Sequence, residues 1–546
     1  MAVASLVRIQ RLNSRPNADI ARLIWLGFGL FVLALSASPH AAFGEEPHKL
    51  SPKQLSAHID QELAKAWAAS GRKPAPLSDD SEYVRRIHLD LVGKIPSVTE
   101  VRSFLSDTRA DKREREVEQL LKRGAWAAHF GRVWRDLMLA GSGNNFEVVA
   151  LAPALETWLR LRFATNIPYD QMVRELLGEP LTNTNPLSVF DRRRTAAPSV
   201  LAYYQANERK PEQLAASTSR LFLGMQVECA QCHDHPFASW TRKQFWSYAA
   251  FFSGLEGTPA TQGSSLLIPD TTITVQATFL DGSQPKWEPG ENKQTLLARW
   301  MTRNDNPYFG RAAVNRVWDH FLGRGFVHPV DNIDPANPAS HPELFDVVAE
   351  QLVLHGYDLQ YLIRAITGTR AYQLTSAAEK PAQDEYEHFA RMPLRRMTAD
   401  QLFDSIVEAT GFREAPNPQA QQFDLLGTSS ARARFQAKFA DQAVPRTEAE
   451  TSILQALSLM NGAITADVTN LEQSQTLTAV IESPFLDTEG RIETLFLATL
   501  SRKPTADELH EMTAYLNSGA PSRSERAALG DVFWALLNST EFMLIH

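Results

Sequence analysis

The sequence predicts a mainly α protein, in which two helical domains are joined by a Gly/Pro/Ser/Thr-rich segment carrying a short β element. Three observations predict it. Capping boxes recur at Ser97 with Glu100, Ser340 with Glu343, Thr398 with Gln401 and Thr505 with Glu508, where an N-cap hydroxyl and an acid or amide three residues on satisfy each other's backbone donors. Apolar residues return at three- and four-residue spacing through most of the chain. Only residues 257–290 break that period, with Thr272 to Phe279 reading as a strand that ends in an Asp281-Gly282 turn. The expected layout is therefore a signal segment over 1–44, a first domain over 45–256, the junction over 257–290 and a second domain over 291–546.

The first segment places Arg8, Arg11, Arg15 and Arg22 against Asp19 alone and then runs apolar from Leu23 to Ala37. That run is shorter than the roughly 20 residues a spanning helix needs, and Ala42-Phe43-Gly44 puts small residues where a signal peptidase reads. The expectation is export to the periplasm or beyond, with cleavage near Glu45; an uncleaved anchor is the alternative. Without residues 1–44 the balance is 51 basic against 62 acidic side chains, a net charge of −11, which argues against a nucleic-acid partner. No later run is apolar enough for an integral membrane segment.

Helical periodicity continues over Leu55–Ala69, Arg113–Arg123, Leu155–Phe163, Tyr169–Leu177, Glu212–Met225, Thr241–Phe252 and Ala312–Leu322. After Ser340, Leu344, Val347, Val348 and Leu352 share one face and Gly356 closes the helix, Glu343 being explained as its cap. The stretches Asn183–Arg194 and Glu414–Phe439 read as loops.

The chemistry concentrates at Cys229-Ala230-Gln231-Cys232-His233, which holds both cysteines of the 546 residues. Cys-x-x-Cys-His is the c-type haem attachment pattern: two thiols add to one haem and the adjacent imidazole ligates iron. Two other readings compete, a Cys/His metal site and a disulfide or dithiol. In the metal reading Cys229, Cys232 and His235 are three ligands of a tetrahedral zinc site; otherwise His235 is a turn histidine. A disulfide over two intervening residues removes little chain entropy, and the thioredoxin-like context of a preceding strand is replaced here by the helical Glu212–Met225. Phe245, Trp246, Tyr248 and Phe252 form either a wall beside a haem or ordinary core. For a distal iron ligand the candidates are Met225, close in sequence, and His320, in the second half.

The run Phe222 to Phe237 around that motif closely resembles the signature of the planctomycete cytochrome-like domain of unknown function (domain of unknown function 1549). Arg85-Arg86-Ile87-His88-Leu89-Asp90-Leu91-Val92-Gly93-Lys94-Ile95-Pro96 and Asn166-Ile167-Pro168-Tyr169-Asp170 look like the same domain. The second half resembles its companion planctomycete-specific domain (domain of unknown function 1553) through Asn306-Pro307-Tyr308-Phe309, Val314 to Gly325, Asn337 to Leu344 and Trp534 to Phe542. The resemblance implies an exported bacterial protein and supplies no established reaction.

In the second half Arg316, Asp319 and His320, with Asn315, lie together on a helix closed by Gly323. They suit a polar ligand, a distal iron ligand or an ion-paired cluster between domains. Asp331, Asp334 and Asn337 suit either a hard cation or turns. No carboxylate pair marks a glycosidase, and no residue set fixes an enzymatic reaction. The expected function is binding of one haem c and electron transfer to an unidentified redox partner. The alternative is a non-redox envelope protein with a zinc or disulfide site that binds or processes a polymer such as polysaccharide.

Overall fold

Most of the described helices begin where the sequence supplies a side-chain oxygen for their first free amides. In the computed structural model, which describes residues 48–143, 145–179, 197–234, 240–255, 265–287, 292–377, 386–413, 430–439, 474–518 and 524–546, α1 (Pro52–Ala69), α2 (Asp80–Val92), α3 (Val98–Ser106), α4 (Lys112–Leu121), α5 (Gly124–Met138), α6 (Phe146–Ala164) and α7 (Tyr169–Gly178) precede α8 (Leu201–Ala206) and α9 (Pro211–Thr218). A π turn (Ser219–Leu223) and a 3-10 turn (Glu228–Gln231) lead to α10 (Arg242–Ala249) and a further 3-10 turn (Ala250–Phe252). The hairpin β1 (Ser265–Leu267) and β2 (Thr274–Gln276) follows, then α11 (Lys293–Met301), α12 (Phe309–Leu322), α13 (Pro342–Leu354), α14 (Leu359–Gly368) and α15 (Arg370–Gln373). Strand β3 (Arg395–Arg396), α16 (Ala399–Thr410), α17 (Ala431–Phe439), α18 (Gln475–Glu482), α19 (Thr488–Thr499), α20 (Ala506–Asn517), α21 (Glu525–Leu537), α22 (Thr540–Met543) and β4 (Leu544–Ile545) complete it. The protein is mainly α. The expected signal segment, its cleavage point and the stretch 183–194 lie outside the described residues, among which no helix is long and apolar enough to cross a membrane.

The capping boxes of Ser97, Thr398 and Thr505 form as expected. The one at Ser340 does not. Pro342, whose fixed φ suits a first helical position, makes His341 the N-cap with no side-chain cap bond, so Glu343 falls one position short of where a capping acid acts. The C-terminal signal there holds: Gly356 takes φ +63°, and the Gly356 and Tyr357 amides donate to the Val353 and Leu352 carbonyls. A second correction concerns the loop expected over 414–439, whose last part is α17. Arg432 bonds Asp400 at 2.7 Å and also Asp404 on α16, while Ala431 and Phe435 are buried; docking supplies what the polar sequence lacks. The strand expected over 272–279 is confined to β2, paired antiparallel with β1 in the register Leu266 to Val275.

Leu50–His546 form one compact unit built on two hydrophobic cores. The first runs from Leu55 to Met392 and mixes residues from both sequence halves. The second gathers Met397 to Ile545 with Leu89 and Ile95. The described part of the 257–290 segment is packed into the first core, where Phe279 stacks between Phe251 (4.9 Å) and Trp300 (5.0 Å).

α2 serves both cores. Asp79 caps it by accepting from the Glu82 amide at 2.8 Å, and every residue from Tyr83 to Val92 is buried. Val84, Ile87 and Leu91 face the first core and Leu89 the second. Most of its buried polar groups find partners in distant parts of the chain, as desolvation favours, with Arg85 Nε left without one. Arg85 donates to the carbonyls of Thr499 and Phe542, each at 2.8 Å. Arg86 donates to those of Tyr372 (2.6 Å), Leu374 (2.9 Å) and His546 (3.0 Å), and to Glu82. Asp90 receives a two-pronged bond from Arg395 at 2.9 Å on each oxygen and the Tyr372 hydroxyl at 2.9 Å. Burial works against the Arg395 charge, but Asp90 outweighs it and holds the guanidinium above its usual pKa.

Arg395→Ala is expected to leave Asp90 buried without its countercharge and to cost about 3–5 kcal/mol, read as a lower urea midpoint at unchanged slope. The double variant Asp90→Leu/Arg395→Met is expected to recover much of that loss. A single variant as stable as wild type would contradict the central role of the pair.

Candidate functional site

The approach to the CxxCH motif is the end of α9. The helix expected over 212–225 is α only to Thr218; its last part widens into the π turn, whose Ser219 carbonyl accepts the Met225 amide at 3.1 Å. Gly224 ends it at φ +66°, where an added Cβ would lie 2.7 Å from Ile333 Cδ1. The Gly224 carbonyl takes the Ile333 amide at 2.7 Å, so a glycine is needed for both the backbone and the close approach.

The 3-10 turn then carries the motif. It spans Glu228–Gln231, so Cys229 lies inside it and Cys232 follows as its C-cap. Both are exposed and uncrosslinked, while Ala230 between them is buried. His233 is exposed as well. Its Nδ1 lies 2.8 Å from the Asp234 carbonyl oxygen, which assigns the proton to Nδ1 and leaves the Nε2 lone pair for a ligand. Gln231 inside the turn accepts at its carbonyl from the Trp246 indole (2.9 Å) and from Arg242 Nε (3.2 Å). These two anchors on α10 were not apparent from the motif. The aromatic residues of that helix offered a partial signal, and Phe245, Trp246, Tyr248 and Phe252 prove to be buried core.

Besides the packing of Ile333 on Gly224, the second half meets this approach through polar contacts. Asp331 takes Gln226 Nε2 at 2.9 Å and Arg220 Nε at 3.5 Å, and Arg220 also pairs with Glu228, next to Cys229. Arg316 donates to the Arg220 carbonyl at 3.3 Å. The quartet on α12 is thus divided among separate tasks. Asn315 pins the loop after the helix through Val327 (2.8 and 3.0 Å) and Val330 (3.0 Å). His320 Nε2 lies 3.0 Å from the Asp90 carbonyl oxygen, with its ring among Phe130, Phe321 and His129. Asp319 lies close enough to Arg395 to favour its charge.

Met225 is buried in the first core. Asp334 and Asn337 build a turn: Asp334 Oδ1 accepts from the Ala336 amide at 2.8 Å and Asn337 donates to the Asn332 carbonyl at 2.9 Å. Among the described residues no three or more His, Cys, Asp and Glu side chains converge as a metal site. His235, the third member of the zinc alternative, lies outside the described residues.

Two family models match the chain in succession. Residues 58–256 match PSCyt2, a protein of unknown function (DUF1549), and residues 293–425 and 421–516 match PSD1, a protein of unknown function (DUF1553). No curated protein and no solved structure matches.

Gly224→Ala is expected to lower stability by about 1–2 kcal/mol from the left-handed backbone alone, and further through displacement of Ile333; hydrogen exchange should rise in residues 224–233 and 330–334. An unchanged exchange pattern would show that the two segments are held independently. The His341 side chain, at the end of the same loop, is pushed down to about 4 from 6.5 by burial and then by His388. A lowered histidine pKa means that the unfolded chain binds the proton first, so the associated stability is present above pH 6.5 and lost as pH falls toward 4. Urea titrations should show this slope flattened in His341→Gln; equal slopes would contradict it.

Proposed function

We propose that this chain, which carries a PSCyt2-type DUF1549 domain followed by a PSD1-type DUF1553 domain, is an exported bacterial protein that binds one c-type haem and transfers electrons. The observation that carries the reading is the 3-10 turn and its C-cap: two exposed thiols at the motif's spacing, followed by an exposed imidazole whose Nδ1 is committed to a carbonyl. Cys229 and Cys232 would hold the haem by thioether bonds and His233 Nε2 would be the proximal ligand. The bound haem supplies a one-electron couple.

The chain's own residues do the rest. Asp234 orients the imidazole through its carbonyl. Gln231, held by α10, fixes the turn between the thiols. The packed core beneath Ala230 keeps the motif at the surface, where a redox partner can approach within reach of the haem edge. Covalent attachment of this kind takes place outside the bacterial cytoplasm, which agrees with the basic and apolar pattern of residues 1–44. Met225 and His320 are distal candidates by residue type; Met225 is buried in the first core and His320 Nε2 is held at the Asp90 carbonyl, so either would have to leave those contacts to reach iron, and spectroscopy distinguishes thioether from imidazole ligation.

The protein purified from its native envelope is expected to show a mass increment of one haem and a Soret band that survives acid-acetone extraction. Cys229→Ser/Cys232→Ser should lose both and yet unfold within about 0.5 kcal/mol of the wild-type apoprotein, because both thiols are exposed. Colourless wild-type protein would reject the haem reading; stoichiometric zinc in it would favour the Cys229/Cys232/His235 alternative.

A further inference from the structure

The residues on either side of Cys232-His233 are both tied to the start of α10. On one side the Gln231 carbonyl accepts from Arg242 Nε at 3.2 Å and from the Trp246 indole at 2.9 Å. On the other, the Asp234 carboxylate accepts the Arg242 backbone amide at 2.8 Å, a favourable place for a negative charge at the head of a helix. The Asp234 carbonyl in turn takes the His233 Nδ1 proton. Arg242 reaches further, since its terminal NH2 group donates to the Pro269 carbonyl at 2.8 Å in the connection between β1 and β2. One planar guanidinium therefore joins the motif turn to a hairpin that belongs to neither matched family region. A lysine, with a single ammonium centre, cannot span two carbonyls with the same fixed fork.

We propose that the Arg242 side chain is a positioning group for the iron ligand His233, acting through the Gln231 end of the turn and braced by the hairpin. The proposal rests on the haem reading above. Its physical content is that a firmly held Nδ1–H···O=C bond makes the imidazole a more basic ligand, which favours ferric over ferrous iron. Loosening the turn weakens that bond, so the midpoint potential should rise.

Arg242→Gln, Arg242→Lys and Trp246→Phe test this in the mature holoprotein. The Asp234 carboxylate keeps its backbone donor in all three, so only the grip on Gln231 and Pro269 changes. Haem content by pyridine haemochrome should stay at one per chain, because both thiols are intact. In Arg242→Gln the iron–imidazole band in the resonance Raman spectrum should shift and the midpoint potential should move upward, with Arg242→Lys restoring part of each; Trp246→Phe should give a smaller shift of the same sign. A haem-loaded Arg242→Gln protein with the wild-type band and potential, even if less stable, would overturn the proposal and leave Arg242 as a brace for the hairpin. Wild-type protein without haem would instead reject the underlying reading, and this inference with it.

Discussion

Burial of the charged helix α2 is the constraint from which the rest of the architecture follows. Arg85, Arg86 and Asp90 are shut away from water, and charges in such a place are costly unless most of their donors and acceptors are met. The partners come from Tyr372, Leu374, Arg395, Thr499, Phe542 and His546. Those positions must therefore converge on one helix, and they do so from both cores. The antiparallel pairing of β3 with β4 presents Arg395 and His546 to that helix from a single small sheet. His320 is drawn into the same arrangement through the Asp90 carbonyl.

The CxxCH motif stands in contrast. Its thiols and imidazole are at the surface, and between them the Ala230 side chain and the Gln231 carbonyl are tied inward. The core does not need them, and they are held by α10 and by the loop after α12. Such a separation leaves the thiols and the imidazole accessible from solvent. Residues of the second half reach the approach to the motif through the polar contacts of Asp331 and Arg316 and through the apolar packing of Ile333 on Gly224.

Much of this was legible in the sequence where the signal is local. Three of the four expected capping boxes form, because a hydroxyl and an acid or amide three residues apart decide a helix start among themselves. Pro342 overrode the fourth by moving the start one residue. The helix at 431–439 was missed because its sequence is polar; its stability comes from Arg432 meeting Asp400 and Asp404, which are close only after folding. The motif itself was plain from its spacing, but its anchors were not, since Arg242 reads as one more surface cation. The role of Arg85 and Arg86 was equally hidden: their partners are mostly backbone carbonyls, which leave no trace in side-chain pattern.

The bonds from α2 to the end of the chain have a consequence for synthesis. Arg86 finds the His546 main-chain oxygen and Arg85 the Phe542 carbonyl, more than 450 positions downstream. A chain emerging from the ribosome can assemble local helices, but it cannot close its buried cationic centre until residues 541–546 have appeared. The cysteines lie far earlier in the sequence than the carbonyls that complete that centre, so the segment that carries them precedes the residues on which the closure of the interior depends.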